Sequence, residues 1–254
     1  YSPPDLRKWR QLVNNIKAPK KEITVAMCGK YTKLEDSYAS IIESFNHCSA
    51  HLECKINIRW IETTELSDTS FMNEVDGIVV PGGFGSRGVE GKIEAIRVAR
   101  EKNIPFLGLC LGLHMAIIEF SRNVCGLTGA NSTEMDLNTP HPVIDILPEQ
   151  KNISEKGGTM RLGAYTAKLK EGTLTKALYG KDTASERHRH RYEVNPEYHE
   201  RLSKNGMVFS GTSQDGRLVE FIELKGHKYF VATQAHPELK SRMEAPAPLF
   251  YGFV

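Results

Sequence analysis

Three residues of this chain could together break an amide bond: Cys110, His236 and Glu238. Cys110 sits in Gly108-Leu109-Cys110-Leu111-Gly112, directly after the apolar run Ile104-Pro105-Phe106-Leu107 and just before the helix-like segment Leu113 to Phe120. Glycines flanking a nucleophile at a strand-to-helix junction are the sulfur version of the G-x-S-x-G elbow, a strained turn that lifts the side chain into a cleft. A lone cysteine in an apolar run is more often a small buried hydrophobe. What tilts the reading toward chemistry is Gln234-Ala235-His236-Pro237-Glu238, which follows a second apolar run, Tyr229 to Ala232. It offers an imidazole base with a carboxylate two residues beyond it, as an activated thiol requires.

A thiolate that attacks an amide needs donors for the developing oxyanion, and backbone N–H groups are the usual source. Gly82-Gly83 can approach a ligand without a clashing Cβ. The Leu111 N–H opens the helix after Cys110, whose dipole also favours a thiolate. On glycines alone, Gly82 to Gly85 reads equally as an ordinary strand-to-helix turn. The loop is neither a dinucleotide fingerprint nor a P-loop, because no acidic residue follows at a suitable strand end and no Gly-Lys-Ser/Thr is present. His47, His51 and Cys54 share one helical face but match no zinc module, so no metal is expected. In Glu186-Arg187-His188-Arg189-His190-Arg191-Tyr192-Glu193, strand alternation sends the arginines one way and His188 and His190 the other. This basic run is too short for a polyanion tract and suits delivery of one arginine to a substrate carboxylate.

The elements that must hold these residues follow from periodicity. Ile23 to Met27, Ile56 to Ile61, Val75 to Val80 and Ile104 to Leu109 read as strands. Ser37 to Leu52, a weaker stretch around Thr64 to Met72, and Val89 to Lys102 carry helical spacing between them. Such alternation predicts an α/β fold of three layers, with a central, mostly parallel sheet between helices. Ligands then sit at the carboxyl ends of strands, where Pro81-Gly82-Gly83-Phe84-Gly85 and Cys110 both fall. Met160 to Leu169, Arg187 to Val194, Met207 to Ser210, Leu218 to Leu224 and Tyr229 to Gln234 predict a further, partly antiparallel strand region.

Composition narrows the class further. A net charge of +2 with 25% charged residues excludes a polyanion-binding tract as the main theme, so no nucleic acid partner is expected. Five scattered cysteines, an odd number, point to a reducing compartment, and no run reaches the roughly 18 apolar residues of a membrane span. Residues 1–22 read as a polar linker with one amphipathic stretch around Leu6 to Ile16, and residues 23–254 as the folded domain. The chain starts at Tyr1 without an initiator methionine, which suggests that another domain precedes it.

The motifs closely resemble the triad glutamine amidotransferases, and among them the glutaminase domains of CTP synthases. The elbow and the His-Pro-Glu are shared by the wider family. Pro81 to Lys92, Asn131-Ser132-Thr133-Glu134, Gly157 to Gly163 and Glu186 to Asn195 look like the CTP synthase branch. The resemblance implies Cys110 as nucleophile, His236 as acid and base, Glu238 as its orienting carboxylate, and Gly83 and Leu111 as the oxyanion hole. It further implies that glutamine is held by Gly83, Phe84, Leu111, Gly112, Leu113, His114, Glu134 and Arg191. Glu134 would meet the α-ammonium and Arg191 the α-carboxylate. Ammonia would pass to a synthetase domain, absent here, that uses ATP and Mg2+ to convert UTP to CTP in a cytoplasmic homotetramer. GTP would activate, with Arg87, Thr159 and Arg161 as a responsive lid, and the domain itself needs no cofactor. Rival readings are an amidotransferase subunit of another synthetase and a catalytically silent docking domain. One departure stands out: Gly112-Leu113-His114 replaces the usual Gly-Met-Gln, which implies weaker glutamine binding or a pH dependence near the histidine pKa.

Overall fold

Apolar runs with no polar face become strands covered on both sides. The computed structural model describes residues 4–254 apart from 31, 33, 65, 67 and 147–159. In chain order the elements begin with α1 (Arg7–Lys17), β1 (Lys21–Gly29), α2 (Ala39–Leu52), β2 (Cys54–Glu62), β3 (Gly77–Val80), α3 (Val89–Glu101), β4 (Phe106–Leu109) and α4 (Leu111–Asn123). They continue with β5 (Asn131–Ser132), β6 (Pro142–Asp145), β7 (Arg161–Leu169), α5 (Leu174–Tyr179), β8 (Thr183–His190), β9 (Glu193–Val194), α6 (His199–Lys204), β10 (Met207–Thr212), β11 (Val219–Leu224), β12 (Phe230–Thr233) and α7 (Pro248–Phe253).

Nine strands form one sheet in the order β2-β1-β3-β4-β12-β11-β10-β7-β8. The first five pair in parallel and the last four join antiparallel, so the predicted antiparallel region continues the main sheet. A smaller sheet, β5-β6-β9, stands apart. Successive residues of the parallel strands point to opposite faces. Ala26, Ile78, Val80, Phe106 and Ala232 join the core under α3 and α4. Val25, Val79, Leu107, Leu109 and Val231 join the core under α2 and α7, where Phe45 and Phe250 meet edge to face. This is the three-layer α/β arrangement expected from the alternation.

Two expectations need correction. The stretch around Thr64 to Met72 yields only a 3-10 turn, Ser70–Glu74, among the described residues. The Asp68 carboxylate accepts from both the Ser70 N–H and its hydroxyl, a local bond that competes with helix formation. The single strand expected over Arg187 to Val194 breaks: β8 ends at His190, opposite Arg161, and β9 begins at Glu193, opposite Asp145 in the small sheet. Arg191 and Tyr192 therefore cross between the two sheets. The amphipathic stretch expected around Leu6 to Ile16 is helix α1, which buries Leu12 and donates from Asn15 Nδ2 to the Ala50 carbonyl at the end of α2.

Helix α4 lies unusually close to β3. A Cβ on Gly112 would come within 2.2 Å of the Val80 carbonyl oxygen, a backbone atom that cannot swing aside. Gly112→Ala should therefore destabilise the fold by about 1–3 kcal/mol, the usual range for overpacking, measured as a lower midpoint in urea unfolding.

Candidate active site

Parallel pairing brings three strand ends level. Val80 lies opposite Gly108, Gly108 opposite Ala232 and Leu109 opposite Thr233. The residues that follow, Pro81 to Gly83, Cys110, and Gln234 to His236, therefore emerge side by side. Cys110 N–H donates to the Thr233 carbonyl at 2.7 Å, and the Cys110 carbonyl accepts from Leu113 N–H at 3.0 Å to start α4. Cys110 adopts φ 50° and ψ −100°, a conformation that costs a non-glycine residue about 1–3 kcal/mol. The flanking glycines are steric requirements too, since a Cβ on Gly108 would come within 2.8 Å of Ala232 Cβ.

His236 Nδ1 lies 2.7 Å from Glu238 Oε1, across the 3-10 turn Pro237–Leu239. The His236 main-chain N–H donates to the Arg187 carbonyl at 2.8 Å, tying the loop to β8. Burial opposes a charged His236 ring, but hydrogen bonds with Cys110 and Glu238 outweigh it and push the pKa up to about 10. Gly82 closes the third side: a Cβ there would meet His236 Cε1 at 2.8 Å and Cys110 Cβ at 3.5 Å. The other four cysteines are buried with no such partners, and burial drives Cys28 and Cys48 up to about 12. They behave as small hydrophobes.

A cavity of about 700 Å³ opens over Cys110 and His236. Gly83, Phe84, His114, Glu134 and Arg191 also line it, so most of the residues singled out in the sequence meet here. Leu111 packs against Gly83, whose Cβ position is 3.3 Å from Leu111 Cδ2. Gly112 lies against Val80, and Leu113 is fully buried in the core under α4. Glu134 Oε1 accepts from Gly85 N–H at 2.9 Å, which ties a wall of the cavity to the glycine loop. Phe84 is 69% exposed and carries Lys30 Nζ 4.7 Å above its ring.

Of the three residues named for a lid, two are described. Arg87 donates to the Lys30 carbonyl at 3.1 Å, and Thr159 lies outside the described residues. Arg161 reaches inward, bonding Glu193 Oε1 at 3.1 Å and Glu220 Oε1 at 2.8 Å. Burial raises both carboxyls, Glu193 to about 8, with Arg161 pulling the other way. His188 and His190 pack into the same cluster, 3.0 Å apart, and burial lowers both. Alternation along the sequence set these histidines on the face opposite the arginines, but nothing in it marked Glu193 and Glu220 as their partners. His114 is buried, and burial holds its pKa below the ordinary histidine value, with the hydrogen bond to Gln234 pulling the other way. His47 and His51 are occupied by the Ser241 hydroxyl and the Met243 carbonyl, and no metal-binding group of three is found among the described residues. No described helix is long and apolar enough to cross a membrane. Sequence reasoning missed the cavity wall from Asp36 to Ile41 and the side chain of Gln234, although the latter sits inside the quoted His-Pro-Glu segment.

The family model for glutamine amidotransferase class-I matches residues 33–254. The chain belongs to that family. Within the class-I amidotransferases it falls with the glutaminase domains of CTP synthases. It is 58% identical to a CTP synthase of Methanococcus maripaludis and 57% identical to one of Methanocaldococcus jannaschii, over 100% and 99% of its length. It covers 49% and 48% of those proteins, about half their length. The solved glutaminase domain of the Trypanosoma brucei enzyme, with bound acivicin, superposes at a TM-score of 0.84 with 37% identity, covering 91% of this chain and 92% of that one. A Thermoplasma acidophilum protein described as a putative GMP synthase subunit shares the fold at a TM-score of 0.56 and 14% identity. The branch-level motifs thus lead to the same family as the whole-chain comparisons.

The raised His236 pKa sets a pH window. Its stabilising contribution is complete below the unfolded value near 6.5 and is lost as pH rises through about 10. Glu238→Gln should lower the ring's titration midpoint, read by NMR. The urea-midpoint gap between the wild type and this variant should narrow from pH 6.5 to pH 10.

Proposed function

We propose that this chain hydrolyses L-glutamine to glutamate and ammonia through a Cys110 thioester. The observation that carries the reading is the convergence on one cavity of a sulfur, a carboxylate-backed imidazole, an acid and an arginine. A free amino acid presents an ammonium and a carboxylate beside its side-chain amide, and Glu134 and Arg191 match those two charges.

In this reading the Cys110 sulfur forms a bond to the carboxamide carbon, and the carbonyl oxygen takes the negative charge under the Gly83 and Leu111 N–H groups. Collapse breaks the C–N bond while His236 hands its proton to the departing nitrogen, which leaves as ammonia. His236, now neutral, takes a proton from water as the oxygen attacks the thioester. Expulsion of the sulfur releases glutamate, and the imidazole is again protonated beside it. Glu238 keeps the ring oriented and its Nδ1 protonated throughout. The ammonia would serve a synthetase domain of the same polypeptide that aminates UTP with ATP and Mg2+, in a homotetramer that GTP activates. The nucleotide and metal sites are assigned to that other half, and residues 1–22 to the connection with it.

Ammonia release from glutamine should fall by about 10^4-fold or more in Cys110→Ala, as for removal of a covalent nucleophile. Arg191→Ala should raise KM by roughly 10- to 100-fold through loss of a charge-assisted bond, with a smaller change in kcat. Glutamine turnover surviving in Cys110→Ala, or labelling of another cysteine by a glutamine-mimicking electrophile, would overturn the assignment.

A further inference from the structure

The nucleophile has a neighbour that the triad does not use. Gln234, fully buried at the end of β12, points its side-chain Nε2 at the Cys110 sulfur from 3.9 Å. Its Oε1 lies 2.8 Å from His114 Nε2. We infer that Gln234 is a further residue of the catalytic centre, whose amide N–H donates to the Cys110 sulfur, and that His114 is a positioning residue that holds the amide in this orientation. The inference rests on the reading of Cys110 as the nucleophile.

The two amide ends are not interchangeable here. A carbonyl oxygen only accepts, so the His114 nitrogen facing it carries the ring proton. Turning the amide over would set Oε1 lone pairs against a sulfur that must become an anion, and would oppose the His114 N–H with an NH2 group. The backbone leaves little other freedom, because Gln234 N–H donates to the Glu220 carbonyl at 2.9 Å and Ala235 N–H to the Thr233 hydroxyl at 3.1 Å. With Nε2 protonated, His114 Nδ1 holds a buried lone pair, with the Tyr192 backbone near the ring. A polar pair placed at such cost in a buried wall calls for a role, and the sulfur is the reacting atom within reach.

A donor of this kind acts on an anion more than on a neutral sulfur. It favours the thiolate before attack and again when water expels the sulfur from the thioester. The same bond slightly reduces the thiolate's intrinsic nucleophilicity, but with a Brønsted coefficient of about 0.4–0.5 a gain in thiolate fraction outweighs that loss. The titratable and charged groups around the sulfur are His236 with Glu238 behind it and His114 behind Gln234, with Glu134, Arg189, His190, Arg191, Tyr192, Asp36 and Tyr38 around the cavity.

The test is the pH profile of Cys110 alkylation by iodoacetamide, located by peptide mass spectrometry on the 254-residue chain, with glutaminase kcat and KM beside it. Gln234→Met should slow alkylation at pH 7 by about 5- to 10-fold, on the scale of a weak bond to a charged group, and move the midpoint upward. Gln234→Glu keeps the shape and the acceptor for His114 but sets a carboxylate at the sulfur, and should move it further. His114→Leu should behave like Gln234→Met, and His114→Gln, which restores an N–H toward Oε1, should recover most of the loss. In each case kcat should change more than KM for the Gln234 variants. A midpoint unchanged in Gln234→Glu, or in a folded Gln234→Met, would overturn the role of Gln234. Equal loss in His114→Gln and His114→Leu would overturn the positioning role. Alkylation does not involve glutamine, so a wrong substrate assignment would show only in the ammonia assay.

Discussion

The parallel hydrogen bonding of β4 between β3 and β12 is the constraint on which the site depends. Because those strands run in one direction and in register, their carboxyl ends stop at one level. Every group assigned to bond breaking leaves from that level: the glycine loop after β3, Cys110 after β4 and His236 after β12. A slip of one residue would turn the inward and outward sets over and drive buried apolar side chains against the wrong layer of helices. The two hydrophobic cores therefore protect the geometry of the site as well as the stability of the sheet.

Around that frame, precision is obtained by close approach rather than by long side chains. Gly82, Gly108 and Gly112 each occupy a place where a methyl group would strike His236, Ala232 or the Val80 carbonyl. The residues proposed to anchor the substrate come from further away. Glu134 follows β5 of the small sheet, and Arg191 lies on the crossover from β8 to β9. The cavity is thus bounded by a rigid floor from the parallel strands and by walls from the antiparallel half and the second sheet. Reaction and recognition are assigned to different parts of the fold.

Much of this was legible in the residues. The strands Ile23 to Met27 and Ile104 to Leu109 announced themselves as apolar runs, and the elbow was marked by its two glycines. His236 and Glu238 could be paired because both occur within one short segment. What stayed hidden was long-range. Gln234 and His114 are 120 positions apart, and only the juxtaposition of β12 with α4 makes them partners. Arg161, Glu193 and Glu220 come from three strands in two sheets, and none of their local sequences signals a buried ion cluster. The break after His190 escaped periodicity because β8 alternates right up to it and the strand that follows, β9, has only two residues.

The backbone angles of Cys110 have a consequence for how this chain must be maintained over generations. At φ 50° the residue best suited to the turn is glycine, and the thiol is kept there against the conformational preference of the main chain. Mutation without selection for chemistry would relax that position, since the simplest change would make the fold more comfortable. Cysteine stands at a strained strand end, beside a histidine and a carboxylate aligned to it, at a conformational cost that glycine there would not carry.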